Sequence, residues 1–347
     1  MKMTFRWYGS ADRIPLRHIR QIPGVEGIVS ALHDVPVGEA WTTARMARLQ
    51  DEISDAGLSL AVVESIPVHE DIKLGKPERD RWIDAYCRSV AAVGAAGVTV
   101  ICYNFMPIFD WTRTDLAFPL PDGSTTLTFE QSALERIDLS NGTGDLPGWA
   151  AAYDAAALGV LREDWKRVNA ERLWENLEYF LERVIPVATA NGVKMAMHPD
   201  DPPWSIFGLP RIIVDAAALR RLLSLVDAPA NGLTFCTGSL GASSANDLPS
   251  MVDEFSKAGR IHFMHCRNVK RTAEHDFREV PHPSQFGDVD MRGVLAALKR
   301  NGYSGPMRPD HGRMIWDEDG RPGYGLYDRA LGATYLQGVW EGIEVPT

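Results

Sequence analysis

Val187-Ala-Thr-Ala-Asn-Gly-Val-Lys-Met-Ala-Met-His198 contains a stop and a start. The residues up to Ala190 end a helical pattern that begins near Trp165, and those after Asn191-Gly192 form a short apolar run closed by a histidine. Glycine just past a helix supplies the left-handed backbone that the last turn needs. Helix, glycine and apolar strand in that order mark a parallel βα unit. The same order recurs on both sides. Helical patterns at Thr42–Ala56, Glu78–Ala96, Leu248–Ala258 and Met291–Asn301 stop at Gly57, Gly97, Gly259 and Gly302. Strand-like runs lie at Thr4–Tyr8, Val25–Ala31, Leu58–Glu64, Val98–Tyr103, Val193–His198, Gly232–Cys236, Ile261–Cys266 and Gly305–Arg308. Eight such units predict an α/β fold, a (β/α)8 TIM barrel, as a single domain over residues 1–347.

The fourth and fifth strands stand much farther apart than the rest. Between them lies a long insertion after the fourth strand, residues 104–164, rich in Pro, Gly, Asp, Ser and Thr. A loop of this length at a strand end is usually functional, and it reads as a lid-like segment within the barrel domain. Phe109, Trp111, Phe118, Phe129 and Trp149 argue that it packs rather than remains disordered. Gly142-Thr-Gly144 and Gly238-Ser-Leu-Gly241 lack the lysine and the spacing of phosphate-binding loops.

Composition narrows the function. The 347 residues are 45% hydrophobic and 24% charged, which excludes wholesale disorder. With 36 basic against 46 acidic residues the net charge is −10, which argues against nucleic acid as a partner. No run approaches the roughly 18 apolar residues of a membrane span, and Met1–Arg6 has no signal-peptide pattern, so no membrane partner is expected. Cys87, Cys102, Cys236 and Cys266 lack paired spacing, which points to a reduced, cytoplasmic setting.

Barrel enzymes carry their chemistry at the C-terminal ends of the strands. Here four successive strands run out into His198, Cys236, His265 and Asp310, all metal-ligand types. Alternation along each strand puts His198 with Ala196, Cys236 with Thr234, Asp310 with Arg308, and His265 with Phe263, facing the barrel axis. Cys266 and His262 then face away. A strand-end histidine taken singly is a hydrogen-bonded structural residue, and a buried cysteine a small hydrophobe; the joint pattern is what points to a metal. Two nitrogens, a sulfur and an oxygen suit Zn2+, Fe2+ or Mn2+ rather than Mg2+ or Ca2+. Weaker candidates at the same end are Trp7, Tyr8, His33, Glu64, His69, Asn104 and Arg113.

The chain resembles the D-mannonate dehydratase family, metal-dependent lyases on a xylose-isomerase-like barrel. The resemblance rests on Phe5-Arg-Trp-Tyr-Gly9, Val63-Glu-Ser-Ile-Pro-Val-His69, Met197-His-Pro-Asp-Asp-Pro-Pro203, Phe235-Cys-Thr-Gly-Ser239, His265-Cys-Arg-Asn-Val269, Arg308-Pro-Asp-His-Gly312 and Pro322-Gly-Tyr-Gly-Leu-Tyr-Asp-Arg329. It implies His198, Cys236, His265 and Asp310 as ligands of Mn2+ or Fe2+, with Zn2+ also allowed by the donor set, and His311 and Tyr324 as the acid/base pair. It implies dehydration of D-mannonate to 2-dehydro-3-deoxy-D-gluconate in hexuronate (glucuronate) catabolism. Trp7, His33, Asn104, Arg267 and Arg308 are read as contacts of a small sugar-acid substrate, and a homo-oligomer, a dimer, is expected. The rival readings are a metal-dependent sugar isomerase or epimerase on the same barrel, whose ligands are typically Glu and Asp, and a non-catalytic sugar-acid binding protein.

Alternation yields a paired test. Cys236→Ser is expected to fold normally but lose most bound metal and activity, because a hydroxyl is a far poorer ligand than a thiolate. Cys266→Ser is expected to retain both. Metal content and turnover of the two variants check the assignment.

Overall fold

The structure, a computed structural model, describes residues 1–139 and 155–344; Gly142, Gly144 and Trp149 lie outside the described residues. Its strands in chain order are β1 (Lys2–Arg6), β2 (Val25–Ser30), β3 (Ser59–Glu64), β4 (Val100–Tyr103), β5 (Asp115–Pro119), β6 (Thr125–Phe129), β7 (Lys194–Met197), β8 (Asn231–Cys236), β9 (Ile261–Cys266), β10 (Asn268–Ala273), β11 (Asp276–Val280) and β12 (Pro306–Pro309). Eight of them close a barrel in the order β1-β12-β9-β8-β7-β4-β3-β2. Every barrel pairing is parallel, and closure pairs Lys2 of β1 with Pro306 of β12.

Barrel strands are buried on both faces, which is why they read as nearly continuous apolar runs. Val29, Val62, Val100, Cys102, Ala196 and Phe263 form a small cluster of their own on the inside. Ile28, Val63, Ile101, Met195, Met264 and Cys266 belong to the larger cluster shared with the helices. The helices begin where a side chain accepts from the first turn, as Thr42, Asp215 and Asp247 do. They stop where glycine turns left-handed, as at Gly192 (φ 66°) and Gly259 (φ 68°). The long helix expected over Trp165–Ala190 is instead two, Ala155–Trp165 and Ala170–Ala190. Asn169 separates them: its side chain accepts from the backbone N–H of Arg172 at 2.9 Å and opens the second helix. No described helix is long and apolar enough to cross a membrane.

The chain leaves the barrel twice. After β4 it forms β5 and β6; after β9 it forms β10 and β11, an excursion with no counterpart in the sequence reading. The two pieces join as one antiparallel sheet, β10-β11-β6-β5, with Phe277 opposite Phe129. Those two rings stack at 5.8 Å.

The inner barrel layer supports the strand ends above it: the ring of Phe263 packs edge-on against that of His265 at 4.6 Å. Phe263→Ala is expected to cost about 3–5 kcal/mol, as for other buried aromatic deletions. Urea unfolding measures it.

Candidate metal centre and active site

β7, β8, β9 and β12 deliver the four donors side by side. Cys236 and His265 are direct partners in the β8–β9 register. His198 and Asp310 each lie one residue past a strand end and remain tied to the neighbouring strand, through His198 N–H to Tyr103 O at 2.7 Å and Asp310 N–H to Cys266 O at 3.0 Å. Donor atoms of His198, Cys236 and His265 lie within 4.8 Å of one another. Asp310 Oδ2 is 3.7 Å from Cys236 Sγ, and Asp310 Oδ1 is 3.8 Å from His265 Nδ1. Bonds of about 2.0–2.3 Å to one central ion require donors spaced in this range.

Two further observations fit a metal. Both ring nitrogens of His265 are buried without a hydrogen-bond partner among the described residues. The charges of the group also call for a cation. Burial pushes the Cys236 thiol up, but Arg267 and the histidines 198 and 265 outweigh it and hold it well below its ordinary range. Asp310 is held well below the carboxylate range by Arg308, with His311, His265 and Arg267, against the same burial. Burial lowers His198, yet the Cys236, Asp310 and Glu64 anions raise it to about 9. A divalent cation answers the same anions in place of that proton.

Beside the donors lies a second constellation. His311 has both ring nitrogens engaged, Nδ1 at 2.7 Å from Glu279 Oε1 and Nε2 at 2.9 Å from Tyr324 Oη. Nδ1–H donates to the carboxylate, which leaves Nε2 to accept from the phenol. Burial, together with Tyr8 and Asp310, pushes the Tyr324 phenol well above its usual range, so it is an O–H donor. Alternation after Asp310 would turn His311 away from the axis, yet its side chain lines the cavity. Gly312 has no positive φ; a side chain there would crowd Arg329 at 3.1 Å, so the glycine serves close packing.

Glu279 was missed by sequence reading, as was Asp201. Arg113, immediately before β5, donates to Asp201 Oδ1 at 2.9 Å and Glu279 Oε1 at 2.8 Å. Arg267 donates to Asp201 Oδ2 at 2.5 Å and Glu279 Oε1 at 2.9 Å. All four are essentially inaccessible. Arg267 passes close to Gly238, where a Cβ would meet its Nε at 1.9 Å, so only glycine fits there. The signal for Glu279 was its alternation with Phe277, which puts the two on one face of β11.

A cavity of about 700 Å3 joins these groups; His198, His265, Asp310, His311 and Tyr324 line it. His33, Asn104 and Arg308 line it too, with Asp110 and Trp111 from the insertion. His33 is pushed down to about 3 by burial and by Arg6 and Arg321. Asn104 shapes the loop, donating to Asp110 Oδ1 at 2.7 Å and accepting from Met106 N–H at 3.1 Å. Two expected substrate contacts lie elsewhere. Trp7 packs into the core shared with the helices, because the strand alternates and presents Arg6 and Tyr8 to the cavity instead. Arg267 sits behind the donors, enclosed by its carboxylate partners, and does not line the cavity.

Glu279 is held down to about 2 by His311, Arg267 and Arg113, despite burial. Its stabilising charge is therefore present above its ordinary value of 4.5 and lost as pH falls toward 2. Glu279→Gln is expected to be about 3–5 kcal/mol less stable near neutral pH, the usual effect of breaking a buried pair. That gap narrows with acidification over the same window. Urea unfolding of both proteins across pH checks this.

Comparison with known proteins follows the same line. The D-mannonate dehydratase (UxuA) family model matches residues 1–346. "Mannonate dehydratase 2" of Halalkalibacterium halodurans is 52% identical over 343 residues, 99% of each chain. The crystal structure of mannonate dehydratase from Streptococcus suis serotype 2 superposes with a TM-score of 0.92 at 48% identity, covering 100% of this chain and 97% of that one. A xylose isomerase domain protein from Planctomyces limnophilus shares the fold at 13% identity, covering 99% of this chain and 98% of that one with a TM-score of 0.58. Full-length agreement in sequence and structure makes the chain a member of the D-mannonate dehydratase family.

Proposed function

We propose that this enzyme is a hydro-lyase that removes water from D-mannonate to leave 2-dehydro-3-deoxy-D-gluconate, with His198, Cys236, His265 and Asp310 holding a divalent transition metal and His311 and Tyr324 moving the protons. The observation that carries this reading is His311, fixed at one nitrogen by Glu279 and at the other by Tyr324, in the cavity that His198, His265 and Asp310 also line. The rival isomerase or epimerase reading rests on shared fold alone.

The reaction breaks a C–H bond beside a carboxylate and a C–O bond on the next carbon. The proton is weakly acidic, because its removal places a second negative charge on the substrate. The metal, Mn2+ or Fe2+ in this reading, supplies Lewis-acid stabilisation of that charge. The protein's own residues handle the protons. The hydroxyl of Tyr324 and Nε2 of His311 share one hydrogen bond of 2.9 Å, so a proton taken by one is within reach of the other. Glu279 holds the imidazole in the tautomer that leaves Nε2 free to accept, and it stabilises the imidazolium when a proton arrives. The departing hydroxyl leaves as water, and the resulting enol becomes the 2-keto acid.

Asn104, Asp110 and Trp111 at the start of the insertion and Leu161 near its end line the cavity. This supports residues 104–164 as a cover that limits water at the reacting carbon. The enzyme is read as a homodimer of the cytoplasm.

His311→Asn and Tyr324→Phe are each expected to keep bound metal and substrate affinity while losing at least about a hundredfold in turnover, the low end of general acid–base contributions. Metal content, mannonate binding and single-turnover formation of the 2-keto-3-deoxy acid decide it. Near-normal turnover by Tyr324→Phe would remove the phenol from the proton path.

A further inference from the structure

Glu64 has no part in the proton relay, yet it is built into the metal side of the cavity. It ends β3 and lines the cavity beside Arg308 and Asp310. Its Oε1 accepts from Arg308 Nη2 at 2.9 Å, and the same nitrogen lies 2.8 Å from Asp310 Oδ1. Its backbone carbonyl accepts from the guanidinium of Arg6. The residue is thus held at its backbone and at one carboxylate oxygen. Its other oxygen, Oε2, is buried and has no hydrogen-bond partner among the described residues, and it lies 3.3 Å from Nε2 of His265.

The two histidines of the donor group differ in which nitrogen is engaged. His198 Nδ1 is 2.7 Å from the carbonyl of Pro199, which only accepts, so that nitrogen carries the proton and Nε2 keeps the lone pair. His265 presents the opposite arrangement. Its Nδ1 faces Asp310 at 3.8 Å, while its Nε2 faces Glu64. An imidazole offers a lone pair to a cation at one nitrogen only when the proton sits on the other, and a carboxylate is the usual holder of that proton.

We propose that Glu64 is a positioning residue that accepts a hydrogen bond from Nε2–H of His265 and so commits Nδ1 to the metal, with the two histidines binding through opposite ring nitrogens, Nε2 of His198 and Nδ1 of His265. This rests on the metal reading given above. Arg308, bridging Glu64 and Asp310, couples the orientation of one ligand to the position of another. Glu64 then acts on the metal through His265 rather than by touching the substrate.

The test uses the wild-type enzyme with isotope-labelled histidine, loaded with Zn2+ as a diamagnetic probe. Long-range nitrogen–proton spectra are expected to show His198 bound through Nε2 and His265 bound through Nδ1, with its proton on Nε2. Glu64→Gln is expected to hold Zn2+ about 10–100-fold more weakly in chelator competition, the usual effect of losing such a partner. His265 bound through Nε2, or Glu64→Gln with wild-type Zn2+ affinity, overturns the proposal. Should Glu64→Gln not fold, the wild-type spectrum decides alone. A wild-type protein in which neither histidine binds Zn2+ instead overturns the underlying metal assignment, a distinct failure.

Discussion

Four charges with no access to water must neutralise one another: Arg113 and Arg267 against Asp201 and Glu279. An ion of this kind left alone in the interior costs several kcal/mol, so none of the four can be placed without the others. Asp201 follows β7, Arg267 follows β9, Arg113 precedes β5 and Glu279 lies on β11. The quartet therefore pins the added sheet to the mouth of the barrel. Both halves of the site hang from it. Arg267 reaches toward Cys236 and Asp310 on one side, and Glu279 holds His311 on the other.

Such a network adds little net stability by comparison with a well-packed apolar core of equal volume. What it supplies is uniqueness of arrangement. Each guanidinium presents fixed N–H directions, and Arg113 uses them for a two-point grip on Asp201. The consequence is a rigid wall behind the strand ends, of which Asp201 alone among the four lines the cavity.

The barrel was legible in the sequence because its information is local. A helix stop at glycine and an apolar run of period two are each contained in a few residues, and the eight repeats agree. The convergence of His198, Cys236, His265 and Asp310 was legible for the same reason, since parity along a strand assigns a face to each residue. Trp7 was misjudged where parity was ignored: Arg6 and Tyr8 share the face that meets the cavity, and Trp7 takes the other. The added sheet was not legible. It pairs β6 with β11, segments separated by three barrel strands, and nothing in either segment names its partner. Glu279 was hidden with it, because Asp276-Phe-Arg-Glu-Val280 taken by itself reads as an ordinary half-exposed strand. The break between the helices on either side of Asn169 did carry a local signal, an asparagine able to cap, which the long apolar stripe around it obscured.

Closure of the barrel has a bearing on how the molecule comes into being. β1 hydrogen-bonds to β12, so the first strand made on the ribosome waits for nearly the last. Asp310, His311 and Tyr324 all lie at or after that last strand. A nascent chain not yet extended to residue 310 holds at most three of the four side chains proposed as donors. Contacts of such long sequence separation also form slowly. Truncation before Pro306 would leave a barrel that is open at one seam and lacks the proposed proton-moving groups, rather than a weaker version of the same fold.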